Sequence, residues 1–418
     1  MLKRLTSSLD GFDERVKAVI VGTGVHSWGQ RLTSQYNLLY AANMGASAVE
    51  LGLLNSVTGA VGSLASVPLG WATERYSVRR VLLLGYSLGA LASLIYAIAG
   101  EWWMLIPAFI LGGKLVRIMP LTDIIIVSAT EPEKRTEVMS LSRVIWGIIN
   151  VFAPLAAGLT VAHFGGINTQ GIRPLYYIQL VLTVIVFLYM LRTLKPLRRS
   201  IREAGDSSTK ESFMEDYREF FRGERWLKRW VLLRLVMQFG MSLALPFVPL
   251  WLVEVKGATP QMLGIMGTVG IMVSLVFQIP AGMLADRIGR KKVYFMFRSA
   301  AYLGTALLVL APGPEYLVLV GLLGAIALGS GDGGGLASVG FTPFITMFWE
   351  MVPPEKRGRW FGIEGLLNIS TIPASMVGGF LWERGLMVEV LIIPVLLELL
   401  IVMPLLASIP DTLVQPAK

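Results

Sequence analysis

The sequence predicts an all-α membrane protein whose twelve transmembrane helices form two pseudo-symmetric six-helix bundles, and three observations lead there. The first is a duplication: Gly45 to Val81 aligns without a gap on Gly257 to Val293, the numbering offset being 212 at both ends (257 − 45, 293 − 81). In each copy a long apolar run ends in Pro-x-Gly and then a basic hairpin, the pattern of a helix leaving a bilayer. The second is composition, since 54% hydrophobic residues, 16% charged residues and a mean hydropathy of +0.63 exceed what a soluble domain can hide. The third is spacing. Apolar stretches near the length of about 20 residues needed to span a bilayer recur on both sides of one polar middle. Backbone groups in hydrocarbon must bond within their own segment, so these stretches are helices.

Taken in order, the spans fall at approximately 16–40, 51–72, 81–100, 103–128, 138–162 and 174–193, then 229–254, 261–284, 293–311, 316–350, 360–382 and 387–408. Three units follow: a first bundle over 1–193, a linker over 194–228 and a second bundle over 229–418. The linker places Phe213, Met214, Tyr217, Phe220 and Phe221 opposite Glu211, Glu215, Arg218 and Arg222, an amphipathic helix suited to the membrane interface. Cations concentrate in the loops after even-numbered spans (Arg75, Arg79, Arg80; Lys134, Arg135; Arg287, Arg290, Lys291, Lys292; Lys356, Arg357, Arg359), whereas the opposite loops hold little beyond Arg173, Lys256 and Arg384. The positive-inside rule then places both termini and the linker in the cytoplasm, with the protein multi-pass in the cytoplasmic membrane. The net charge of +9 resides mostly in these loops, so its partners are lipid headgroups and not nucleic acid. The polar opening is no cleavable signal, and the first span serves as its own uncleaved one.

Several chemistries are disfavoured at once. There is no cysteine, and the two histidines, His26 and His163, are far apart, which argues against thiol catalysis, a metal centre and a Ser-His-acid triad. Gly85-x-Ser87-x-Gly89 matches a nucleophile elbow and Gly329 to Gly335 matches a dinucleotide loop, but both lie in apolar helix without the strand those motifs need. Neither an enzyme nor a resident cofactor is expected.

The basic hairpins carry a resemblance. Gly282-Met-Leu-Ala-Asp286-Arg287-Ile-Gly289-Arg290-Lys291-Lys292 resembles the G-x-L-a-D-R-x-G-R-R/K signature between the second and third helices of each half of major facilitator superfamily transporters. It recurs, with departures at Glu74, Ser77 and Val78, in Gly70-Trp-Ala-Thr-Glu74-Arg75-Tyr-Ser-Val-Arg79-Arg80. Glu131 to Arg135 and Pro353 to Arg359 are similar to the P-x-x-x-R-G element that follows the fourth helix. The resemblance implies a monomeric secondary transporter working by rocker-switch alternating access. It assigns a cytoplasmic latch to Glu74 with Arg75 and Asp286 with Arg287. The glycines Gly70 and Gly282 are expected to let the helix end approach its neighbour, Gly289 and Arg290 to complete the motif, and Asp123 is a candidate third member.

Charges inside spans are costly and mark function. Trp28, Arg31 and Gln35 share a face of the first span, Lys114 and Arg117 one side of the fourth, Arg234 and Gln238 one side of the seventh. The resemblance implies that the first, fourth, seventh and tenth helices line the central cavity. Three of these carry cations, and the balancing acids are read as few: Asp332 and Glu364. That excess points to a small organic or amphipathic anion as substrate, the other reading being that the cations pair internally. Protons are the expected coupling ion, through His26, Asp332 or Glu364. The second half has gained about ten residues beside the glycine run around Asp332. A multidrug or lipid-like proton antiporter is the alternative, prompted by the degraded G-P-x-x-G-G element at Ala153 to Gly158, and a non-transporting receptor or scaffold is the second.

Overall fold

The computed structural model describes residues 12–112, 118–131, 134–194, 225–325, 334–352 and 367–411, and for 66–75, 136 and 225 the backbone alone. All its regular structure among these residues is helical. Eight helical stretches are long and apolar enough to cross a membrane: Ala48–Ala65, Val78–Ile98, Glu137–His163, Thr169–Thr193, Trp226–Val255, Pro260–Ile288, Arg290–Leu310 and Met387–Ala407. The other spans are built from shorter pieces. Glu14–Ser34 and Asn37–Asn43 make the first, Trp102–Leu111 and Ile118–Ser128 the fourth. Pro314–Leu323, Gly335–Val339 and Phe341–Met351 make the tenth, and Asn368–Ser370 with Thr371–Glu383 the eleventh. The linker residues 195–224, with the expected amphipathic helix, lie outside the described residues.

The duplication is visible helix by helix. The third and ninth spans, Val78–Ile98 and Arg290–Leu310, begin and end at the offset of the sequence repeat, as do Leu105–Leu111 and Leu317–Leu323. The offset then rises to 223 between Ile118–Ser128 and Phe341–Met351 (341 − 118). The extra residues of the second half therefore fall between Leu323 and Phe341, the interval that contains the glycine run. The signature turn also differs between copies. Gly289 turns with φ +105°, a conformation that suits glycine, while Ser77 makes the matching turn from an extended φ of −64°.

Local chemistry sets the helix ends. Asp13, Asn168 and Thr259 cap their helices by accepting from the backbone N–H of Arg15, Gly171 and Met262. At the end away from the basic loops, two of the few cations close helix C-termini. Arg173 donates to the Ala99 carbonyl at 2.6 Å and to the Tyr40 hydroxyl at 3.0 Å. Lys256 donates to the carbonyls of Val309 and Ala311 at 2.8 and 2.6 Å. Ala99 and Ala311 are repeat equivalents, so each half caps its third helix with a cation brought from a different neighbour. These charges are helix caps, which is why they escape the charge asymmetry of the loops.

Among the described residues, the two bundles share a core at one end. One hydrophobic cluster runs through both halves at the end opposite the basic loops, from Leu39, Leu51 and Tyr176 to Phe247, Leu263 and Trp382. At the basic end each half keeps its own cluster, Val19, Leu82, Ile125 and Trp146 in the first and Trp230, Tyr294, Phe344 and Leu406 in the second. Small residues permit the junction, as expected where close backbone approach replaces hydrophobic drive. A Cβ on Gly264 would lie 2.8 Å from the Pro154 carbonyl oxygen, and one on Gly379 would lie 2.6 Å from that of Ala48.

Candidate functional site

Two seams connect the halves, and they are one design used twice. In the first, Gly52 of the second span packs on the Ser375 carbonyl of the eleventh and Gly379 on Ala48; in the other, Gly264 of the eighth packs on the Pro154 carbonyl of the fifth and Gly158 on Pro260. The numbering offset between matching glycines is that of the repeat, 212 (264 − 52), and between matching carbonyls it is 221 (375 − 154), close to the 223 of the lengthened second half. The first seam is closed by hydrogen bonds: Asn55 Nδ2 donates to Ser375 Oγ at 2.8 Å, Ser56 Oγ to the Ile372 carbonyl at 2.8 Å, and the Val49 N–H to Glu383 at 3.0 Å. In the second, Asn55 is replaced by Gly267 and Ser56 by Thr268, whose hydroxyl has no partner. The Tyr36 hydroxyl, donating to the Pro260 carbonyl at 3.4 Å, crosses there.

The first span lays its polar face on this second seam. Ser27, Arg31 and Gln35 are spaced four apart and so share one side. Asn150 Nδ2 donates to Ser27 Oγ at 2.8 Å and to the Trp146 carbonyl at 2.6 Å, and the Gln35 amide occupies the space that a side chain on Gly267 would fill. Half-buried Arg31 lies one turn from each. Trp28 packs at the margin of the shared cluster. On the seventh span the Arg234 guanidinium lies 5.9 Å from the ring centre of Phe341 on the tenth, and Gln238 donates to Ser242 of its own helix at 3.5 Å. Lys114, Arg117, Asp332 and Glu364 lie outside the described residues.

His26 is buried. Its ring meets Tyr86 edge-on at 4.9 Å, Nε2 is 3.4 Å from Gln30, and Nδ1 has no hydrogen-bond partner.

Among the described latch groups, the ion pairs formed lie within one half. Arg290 pairs with Asp286 at 3.5 Å and with Glu350, and Asp286 and Arg287 are exposed. Asp123 pairs with Arg143 of the fifth span at 2.7 Å, and that guanidinium stacks on Trp146. A Cβ on Gly282 would meet nothing within 4 Å among the described residues, so the close approach expected there is not made in this conformation. Gly289 instead faces the carboxylate of Asp411. Gly70 is described by its backbone alone, and the side chains of Glu74 and Arg75 lie outside the described residues.

The buried charges also include an ion pair outside the four cavity helices. Arg298 of the ninth span and Glu398 of the twelfth are 2% and 3% exposed and form a two-point ion pair, Nε to Oε1 and Nη2 to Oε2, the latter at 2.6 Å. Tyr294 and Tyr302 direct their hydroxyls at Oε1 from 3.4 and 3.5 Å, and Glu398 opens a π-helical turn, Glu398–Val402. A charge inside an apolar span was the available signal, and a search confined to the four cavity helices passes over it.

The family model for the Major Facilitator Superfamily matches residues 19–368 and, a second time, 230–414. No curated protein matches the sequence significantly. Among solved structures the chain is similar to nucleoside transporter NupG (14% identity, 94% of this chain and 99% of that one, TM-score 0.72). It is similar also to a D-xylose-proton symporter (12%, 96% and 98%, 0.66). A bacterial homolog of the human lysosomal transporter Spinster, inward-facing and unoccupied, is a third such structure (16%, 94% and 97%, 0.67). At these identities the likeness concerns the fold, and the family follows from the sequence match that runs through both halves: the chain belongs to the Major Facilitator Superfamily, a family of membrane transporters and not of enzymes.

Proposed function

We propose that this protein is a proton-coupled secondary transporter of a small organic anion, with bundles over 1–193 and 229–418, a cytoplasmic linker between them, and the basic loops on the cytoplasmic face. The observation that carries alternating access is the one-sided junction. The halves share a cluster and both seams at one end, whereas at the basic end each keeps its own core and pairs its own latch charges. With the basic end inside, this is the state open to the cytoplasm, and closing it requires Asp286 and Arg290 to exchange partners. The anion preference rests on Arg31 beside the second seam, with Lys114 and Arg117 as further candidates. Proton coupling is assigned to Asp332, Glu364 and the unpartnered His26 nitrogen.

The chain has no cysteine, so engineered pairs report cleanly. In proteoliposomes, a Val49→Cys/Glu383→Cys pair is expected to cross-link readily without substrate and to lock uptake, with reducing agent restoring it. An acid-outside pH gradient is expected to drive accumulation of an organic anion, and Arg31→Gln to abolish it. Accumulation of lipophilic cations in place of anions would favour drug export.

A further inference from the structure

The second seam has polar vacancies where the first has hydrogen bonds. Asn150 is 5% exposed and Thr268 7%, and Asn150 Oδ1, Thr268 Oγ1 and Gln35 Oε1 are all buried without a hydrogen-bond partner. The Asn150 amide is oriented by its bond to the Trp146 carbonyl, which requires the NH2 on that side, so the group left over is an acceptor. An unpaired buried acceptor costs about 1–3 kcal/mol, a cost that a hydrogen-bond donor removes. The repeat shows that the scaffold does not impose these vacancies, since Ser56, the equivalent of Thr268, bonds across its own seam. The acceptors come from the first, fifth and eighth spans: Gln35, four residues after Arg31, and Pro154, four residues after Asn150, both lie against Gly267, the neighbour of Thr268, where the halves separate when that end opens.

We infer that Asn150, Thr268 and Gln35 form a subsite for the O–H or N–H groups of the substrate, so that the transported class is a hydroxyl- or amino-bearing organic anion with its anionic group toward Arg31. This rests on the transport reading above and adds what that reading leaves open. Two amide oxygens that only accept, with a hydroxyl that can accept beside them, reward a donor next to the charge, and a plain carboxylate would leave the two amide oxygens unpaired.

The test uses the full chain in detergent and in proteoliposomes with matched carboxylates, succinate against malate and aspartate, and propanoate against its 2-hydroxy and 2-amino forms. Binding by isothermal calorimetry and counterflow exchange should favour the donor-bearing members by about tenfold or more, as expected of a site built to pair such groups. Thr268→Val keeps the shape and removes an unbonded hydroxyl, and Asn150→Leu removes the amide; each should reduce the preference for the donor-bearing member severalfold. Should Asn150→Leu not fold, having lost its bond to Ser27, Thr268→Val carries the test alone. Equal handling of matched members by the parent, or a preference that both variants retain, overturns the subsite, the oxygens then holding water. A sodium-dependent thermal shift lost in Thr268→Val would overturn it in favour of a cation site. Failure of the parent to bind or exchange any organic anion removes the transport reading, and this inference with it.

Discussion

Tyr86 and Arg298 occupy the same place in the two repeats, one on the third span and one on the ninth, and the halves have built opposite interiors around them. In the second half the position carries a full charge, closed by Glu398 and two tyrosine hydroxyls. In the first it carries a neutral phenol 3.5 Å from Thr23 and edge-on to His26, whose second nitrogen is unmatched. A closed ion pair resists change, because separating its members leaves a bare charge in a poorly polarisable interior. A neutral cluster with an unmatched nitrogen can gain a hydrogen bond without first breaking a charge pair. The contrast assigns rigidity to the second half and responsiveness to the first.

Breaking the closed side should have the largest effect. Arg298→Met or Glu398→Leu alone strands its partner and should cost about 3–5 kcal/mol, whereas the double variant should recover most of it. Thermal unfolding in detergent reads both. Single variants as stable as the parent would mean that the pair is not closed, and the contrast between halves would collapse.

The next effect belongs to the seams. Gly264→Val forces a side chain onto the Pro154 carbonyl and should cost about 1–3 kcal/mol through overpacking. Because that contact exists only while the far end is closed, the variant should also raise labelling of cysteines placed there. Loss of stability without a change in labelling would separate packing from gating.

A smaller change in stability, within about 1 kcal/mol, is expected for His26→Gln and Tyr86→Phe, since each removes at most one weak polar contact. Their effect should be on pH dependence. Tyr86 is the titratable group whose ring meets His26, and Gln30 is its hydrogen-bond neighbour, so no described carboxylate compensates a protonated imidazole there. If His26 takes part in coupling, His26→Gln should flatten the pH profile of uptake. An unchanged profile would make the histidine a packing residue and leave coupling to Asp332 or Glu364.

Much of this architecture was legible in the sequence, for reasons that also explain what was not. Span count and the doubled plan are legible because lipid demands long apolar helices and duplication preserves spacing, so Val78–Ile98 and Arg290–Leu310 could be placed in advance. The face shared by Arg31 and Gln35 follows from helical geometry. Partner choice does not follow from it. Arg298 and Glu398 are a hundred residues apart, and only the packing of the ninth span on the twelfth makes one the answer to the other. Asn150, Ser27 and Thr268 are ordinary polar residues of membrane helices, and their meaning comes from a bond present in one seam and missing in the other.

The smallest effect on stability is expected at Gly282, and it is the sharpest test of the latch. In this conformation an added methyl meets nothing within 4 Å, and alanine is the better helix former by up to about 1 kcal/mol, so Gly282→Ala should leave the melting temperature unchanged or slightly raised. If the glycine serves close approach when the basic end shuts, the same methyl must clash in that state alone. The variant would then hold the protein open at the basic end, with faster labelling of cysteines near Asp286 and slower uptake at unchanged stability. Asp286→Asn should move labelling in the same direction by another route, since it removes the charge that would leave Arg290 for a partner in the other half. If Asp286→Asn changes labelling and Gly282→Ala does not, closure is electrostatic and the helix end never packs closely. If neither does, the signature in the second half is a fold element, and gating rests with Glu74 and Arg75 in the first.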